Sequence, residues 1–160
     1  MSRVEIAAIA HIEAIRRLLH RYAECIDAAD FAAVGHLFAD GEIRAAGLER
    51  PARGADAVRH LYESANRVHP DGTLRTRHVV SNEIVDVDIS GVAATARSYY
   101  VVYQATPRLP LQPIVAGRYR DRFECADGAW RFAERVIEVD LVGDVSEHLR
   151  IALPVPRDRA

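Results

Sequence analysis

Apolar residues recur at spacings of three and four through the first third of the chain, and at spacings of two through most of the rest. Ile12, Ile15, Leu18, Leu19, Tyr22 and Ile26 fall on one stripe, and that spacing predicts a helix over residues 7–28. Asp30 stands before Phe31-Ala32-Ala33-Val34, placed to cap a second, shorter helix that ends near Phe38. Asp40-Gly41 marks a turn, and residues 42–46 read as a short strand. A third helix, over residues 54–68, carries Ala57, Val58, Leu61, Tyr62 and Ala65 on its buried side and closes at His69-Pro70-Asp71-Gly72.

Beyond Gly72 the period changes from 3.6 to 2. Residues 75–89 and 92–105 form one hairpin about Ser90-Gly91, and residues 112–125 and 130–141 a second about Asp127-Gly128. Residues 143–160 show no regular pattern, with a frayed end at Pro154, Pro156, Arg157 and Arg159. Helices first and antiparallel hairpins after them give an α+β fold. A curved sheet wrapped over three helices encloses a pocket with room for one small ligand. The chain contains no linker or repeat, so residues 1–160 are expected to be one domain, with its core over about 8–141.

Composition narrows the chemistry. With 160 residues, 49% of them hydrophobic, the chain can build a core without metal or disulfide staples. Its formal charge of −2 is spread without a basic stripe, which argues against nucleic acid as a partner. No apolar run is long enough to cross a bilayer, and the first ten residues lack a signal-peptide pattern. The expectation is a soluble, cytoplasmic protein that engages no membrane. All 21 basic residues are arginine; a lysine Schiff base, a lysine general base and a phosphate-binding P-loop lysine are therefore excluded. Cys25 and Cys125 are read as free thiols, and no His or Cys spacing suggests a metal site.

Two residues are out of place. Asp27 falls in the last turn of the first helix, where the macrodipole disfavours a negative charge. His78 interrupts an apolar strand and, by alternation, shares a face with Val80, Asn82 and Ile84. With Ser90-Gly91 as a two-residue turn, His78 faces Tyr103; a turn one residue different puts Val102 there. Tyr22 lies on the buried stripe of the first helix, and its hydroxyl needs a partner or a ligand. Arg135, in the middle of the last strand, can face either side, whereas Arg118, Arg120 and Arg122 on the preceding strand are assigned to solvent.

The stretch from Arg21 to Phe31 (RYAECIDAADF) with Leu37-Phe38-Ala39-Asp40-Gly41 resembles the start of a SnoaL-like domain of the nuclear transport factor two-like superfamily. Thr76-Arg77-His78 opening a long strand, and Asp127-Gly128-Ala129-Trp130-Arg131-Phe132, fit the same pattern. The resemblance implies a cone-shaped sheet closed by three helices around a deep pocket. It extends to scytalone dehydratase, whose aspartate matches Asp27 and whose sequence is similar over Thr73-Leu74-Arg75-Thr76-Arg77-His78. It extends also to hexachlorocyclohexane dehydrochlorinase, where Asp27, His78 and Arg135 have counterparts. In both, the histidine is the base of a cofactor-free elimination. The dehydrochlorinase lysine falls at Tyr22, and the tyrosines of scytalone dehydratase fall at Ile26 and Ala45, so neither substrate carries over. Tyr103 falls near the dehydratase's second histidine.

The expected function is a cofactor-independent lyase of the dehydratase type, with His78 and Asp27 catalytic and Tyr22, Tyr103, Arg135 and Asn82 binding a small cyclic or aromatic substrate. A double-bond isomerase, a polyketide cyclase-like enzyme and a non-catalytic ligand-binding or subunit-interaction module are the alternatives. A homodimer or homotrimer is expected through the outer sheet face.

Overall fold

The computed structural model describes residues 3–153, with side chains from residue 7 onward. The expected frayed end falls outside the described residues. Three helices, α1 (Arg3–Asp27), α2 (Phe31–Leu37) and α3 (Gly54–Ala65), precede most of a six-stranded sheet. Its strands are β1 (Glu42–Ala45), β2 (Ala52–Arg53), β3 (Thr76–Val87), β4 (Ala93–Gln104), β5 (Gln112–Ala126) and β6 (Ala129–Val142), in the order β2-β1-β6-β5-β4-β3. β1 runs parallel to β6, and all other pairs are antiparallel. The sheet is mixed, curved and open, and it wraps the helices as the α+β expectation requires.

Local chemistry sets the element ends. Asp30 caps α2, its side chain accepting from the Ala33 N–H at 3.0 Å. The third helix stops at Ala65, earlier than periodicity predicts. Asn66 turns extended there, donates its backbone N–H (3.1 Å) and its side-chain amide (3.0 Å) to the Tyr62 carbonyl, and bridges to Leu149. The returning chain claims the backbone that another helical turn would have used. The two-residue β2 is too short to leave a periodic signal.

The hairpin of β3 and β4 corrects the sequence reading in one respect. Near the turn the register is the predicted one, with Val87 opposite Ala94 and Ile84 opposite Arg97. Between Ser81 and Ile84 a bulge sets two residues, Asn82 and Glu83, against Ser98 alone, and Asn82 takes φ +54°. Every residue before the bulge is thereby shifted by one. His78 pairs with Val102, and Tyr103 lies opposite Arg77. Asn82 and Ile84 turn outward, while Glu83 turns toward α1 and meets His20 at 2.7 Å. The left-handed conformation tolerates Asn or Gly but penalises a β-branched side chain. Asn82→Val is expected to lose about 1–2 kcal/mol in urea unfolding, and Asn82→Gly to stay near the wild type.

On the inner face, Tyr22, Phe38, Phe123 and Phe132 pack into an aromatic core, with Phe38 and Phe132 rings 4.6 Å apart. On the outer face, Arg118 pairs with Asp140 at 2.8 Å through two nitrogens, and Arg120 reaches Glu138. Arg122 and Arg44 converge on Glu134, so the solvent assignment of these β5 arginines is the observed one. The same outer face exposes Val79, Ile84, Tyr99 and Tyr103. Cys25 and Cys125 are both free. Among the described residues, no helix is long and apolar enough to cross a membrane.

Candidate active site

Asp27 ends α1 and is only 8% exposed, so its charge must be met by hydrogen bonds rather than water. The start of β3 supplies three. Thr76 Oγ donates to Oδ1 at 2.7 Å, the His78 backbone N–H donates to Oδ2 at 3.0 Å, and His78 Nδ1 meets Oδ1 at 2.7 Å. Burial pushes the Asp27 carboxyl up, but these hydrogen bonds and the attraction of His78 outweigh it and hold the group below its ordinary value. In the neutral imidazole, an ionised carboxylate at Nδ1 makes that nitrogen the N–H and Nε2 the acceptor.

The His78 side chain is 7% exposed and lines two spaces. One is a cavity of about 430 Å³ on the concave side of the sheet, walled by Tyr22, Tyr100, Val102, Val115, Tyr119 and Ile137 among others. The second is a wider, open groove of about 1100 Å³ outside, which His78 and Asp27 share with Arg77 and Tyr103. The cavity's apolar and aromatic lining, broken by a few polar groups, has the character of a small-molecule site.

At the base of the cavity, the Tyr22 hydroxyl is hydrogen-bonded to that of Tyr62. Behind it Arg135 is fully buried, forming two hydrogen bonds to Asp121 at 2.7 and 2.8 Å. Its guanidinium carbon lies 4.0 Å from the ring centroids of both Tyr22 and Tyr119, two rings that meet edge to face. Burial works against the Arg135 charge, but Asp121 outweighs it and keeps the guanidinium protonated. Burial likewise raises the Tyr22 phenol, which stays a neutral hydrogen-bonding group.

The predicted site residues thus divide. Asp27 and His78 come together, Tyr22 lines the same cavity as His78, and Arg135 reaches that cavity through the ring of Tyr22. Tyr103 and Asn82 point away from it; the bulge that reverses the alternation is the physical reason, and Tyr103 remains near the pair only through the outer groove.

One cavity residue escaped the sequence reading. His148, 5% exposed, comes from the irregular segment after β6, and its ring centroid lies 6.5 Å from that of His78. This segment crosses the cavity mouth, held by Arg67 N–H to His148 O at 2.8 Å, Arg150 N–H to Ala65 O at 2.8 Å, and Gln104 to Glu147 O at 3.1 Å. Leu149, Ile151 and Leu153 join the lining. Burial, with the repulsion of His78 next, pushes His148 down to about 3, so its imidazole is neutral. Nothing in the local pattern marks His148, because its surroundings come from elements some 80 residues earlier.

Comparison with known proteins places the chain. A family described as SnoaL-like domain matches residues 7–136. An aspartate-to-asparagine variant of Rv3472, described as a function unknown protein from Mycobacterium tuberculosis, is 30% identical over 88% of this chain and 77% of its own, with a TM-score of 0.71. An NTF2-like protein with a cystatin-like fold from Novosphingobium aromaticivorans is 25% identical over 90% of both chains, with a TM-score of 0.73. A protein from the same organism, described as "Putative Scytalone Dehydratase", is 26% identical over 96% of this chain and 98% of its own, with a TM-score of 0.72. No curated protein matches the chain.

Proposed function

The chain belongs to the family of SnoaL-like domains, and from that premise we propose that it is a cofactor-independent lyase of the dehydratase type acting on a small cyclic or aromatic molecule. The observation that carries this reading is the 2.7 Å contact of His78 with a buried, ionised Asp27 at the wall of a largely apolar cavity of about 430 Å³. An imidazole with Nδ1 tied to a carboxylate has one tautomer and one orientation, with Nε2 turned to accept a proton. In a cavity with few polar groups it competes with little water for a substrate proton.

In the elimination, Nε2 of His78 takes the proton from a carbon next to a carbonyl. The C–H electron pair becomes the new double bond as the neighbouring C–O bond breaks. The imidazolium returns its proton to the departing oxygen, and water leaves with the base restored. Tyr22, in the wall of the same cavity, is assigned the hydrogen bond to the carbonyl oxygen that gains charge. Arg135, packed on its ring and paired with Asp121, is a positioning residue that holds Tyr22 in place. A double-bond isomerase shares the first step and differs in where the proton returns, so the product separates the two.

The test is a panel of hydroxylated cyclic ketones, followed for loss of water by absorbance, with wild type and Asp27→Asn. The carboxylate accepts three hydrogen bonds through two oxygens, whereas an asparagine has one acceptor and must turn an N–H toward either the ring or the backbone of β3. Asp27→Asn is expected to lower turnover roughly 10²–10⁴-fold by losing the tautomer. Turnover unchanged in this variant contradicts the proposed base.

A further inference from the structure

His148 is the cavity group that the proposed chemistry leaves unused. Three observations single it out. Its side chain is buried and lines the cavity. Its Nδ1 is buried with no hydrogen-bond partner among the described residues, which is unfavourable for a polar atom unless something else meets it. Its ring sits 6.5 Å from that of His78, edge to face, so both histidines serve the same end of the cavity. The segment that carries it is pinned through backbone groups of Ala65, Arg67 and Glu147 rather than through the imidazole.

We propose that His148 is a second substrate-binding residue, which hydrogen-bonds a hydroxyl or carbonyl oxygen of a neutral, oxygenated ring compound beside the carbon that His78 addresses. The proposal rests on the reading of this cavity as the substrate site. Two imidazoles at this separation leave room for two hydrogen-bond reaches of roughly 3 Å each onto neighbouring atoms of one ligand. A C–H directed at His78 and a C–O at His148, on adjacent carbons, is the arrangement an elimination needs. A neutral imidazole offers one donor and one acceptor, matching a hydroxyl, which can both give and receive a hydrogen bond.

The electrostatics select against acids. The buried cation nearest the cavity, Arg135, is neutralised by Asp121 and screened behind Tyr22 and Tyr119. Burial keeps His148 uncharged, and Asp27 places a negative charge beside His78. Among the described residues a carboxylate would meet no free positive partner in this cavity, so the ligand class is a phenol, alcohol or ketone.

The test uses three ring probes of similar shape, naphthalene, β-naphthol and β-naphthoate, titrated into the full chain and followed by probe fluorescence. Wild type is expected to bind β-naphthol roughly tenfold more tightly than naphthalene, the effect of one good hydrogen bond, and β-naphthoate most weakly. His148→Phe is expected to erase the advantage of β-naphthol while naphthalene affinity stays within about twofold, and His148→Gln to keep most of it. In wild type, β-naphthol is also expected to shift the His148 ring nitrogens in a nitrogen-15 spectrum, a readout that does not depend on any variant folding. An advantage that persists in His148→Phe, ring nitrogens that do not move, or wild type with no preference for β-naphthol overturns the proposal. None of these readouts involves turnover, so failure of the lyase reading and failure of this one are separately visible.

Discussion

His78→Ala is expected to lower turnover by about 10²–10⁴-fold, the contribution of a positioned general base, while leaving the protein folded. The second half of that statement follows from how Asp27 is held. Losing the imidazole removes one of three hydrogen bonds to the carboxylate; Thr76 Oγ and the backbone N–H of residue 78 remain at 2.7 and 3.0 Å. Asp27 therefore keeps acceptor satisfaction in its buried place, and β3 keeps its anchor on the end of α1. Steady-state turnover on a panel ketone, together with the Tm of the variant, checks both halves. Turnover within threefold of wild type contradicts the assigned role, and a collapse in Tm with no active folded fraction would make the pair structural instead.

Arg135→Met is expected to be the most destabilising single change, by about 3–5 kcal/mol, because it leaves the Asp121 carboxylate buried without its partner. Both side chains are fully excluded from solvent, so water cannot take over the lost hydrogen bonds. The guanidinium also fills the space between the Tyr22 and Tyr119 rings at 4.0 Å from each centroid, and methionine recovers only the packing part of that contact. Replacing both partners, Arg135→Met with Asp121→Leu, is expected to restore much of the loss, since no uncompensated charge remains. Urea unfolding of the single and double variants measures the difference. A single variant within 1 kcal/mol of wild type contradicts this account, as does a double variant no more stable than the single.

The sequence foretold the α+β architecture and the order of helices and hairpins, because each long element has a clean period and a recognisable stop. The pairing of Asp27 with His78 was less direct. Each looked anomalous alone, and the resemblance to SnoaL-like enzymes joined them across 51 positions. Tyr103 and Asn82 were placed wrongly because alternation assumes an unbroken strand, and one inserted residue at the Asn82 bulge reverses the faces on one side of it. Asp121 is legible from the alternation along β5. Assigning Arg118, Arg120 and Arg122 to solvent puts Tyr119, Asp121 and Phe123 on the inner face, where an acidic residue demands a buried cation and Arg135 is the candidate. His148 had no such signal. Its burial comes from the chain returning over α3 and the start of β3, a contact that no local pattern encodes.

The central claim, that His78 is a base directed at a carbon acid inside the cavity, is tested most directly by hydrogen–deuterium exchange. β-Tetralone has acidic protons next to its carbonyl and no leaving group, so abstraction and return in heavy water report the base alone. Proton NMR of β-tetralone incubated in heavy water with wild type, His78→Gln or no protein follows the loss of those signals. The account predicts exchange by wild type well above the protein-free rate, and a fall of at least about 10²-fold in the catalysed part for His78→Gln. Exchange at the same catalysed rate in both proteins, or none above background in wild type with the ketone bound, would contradict it.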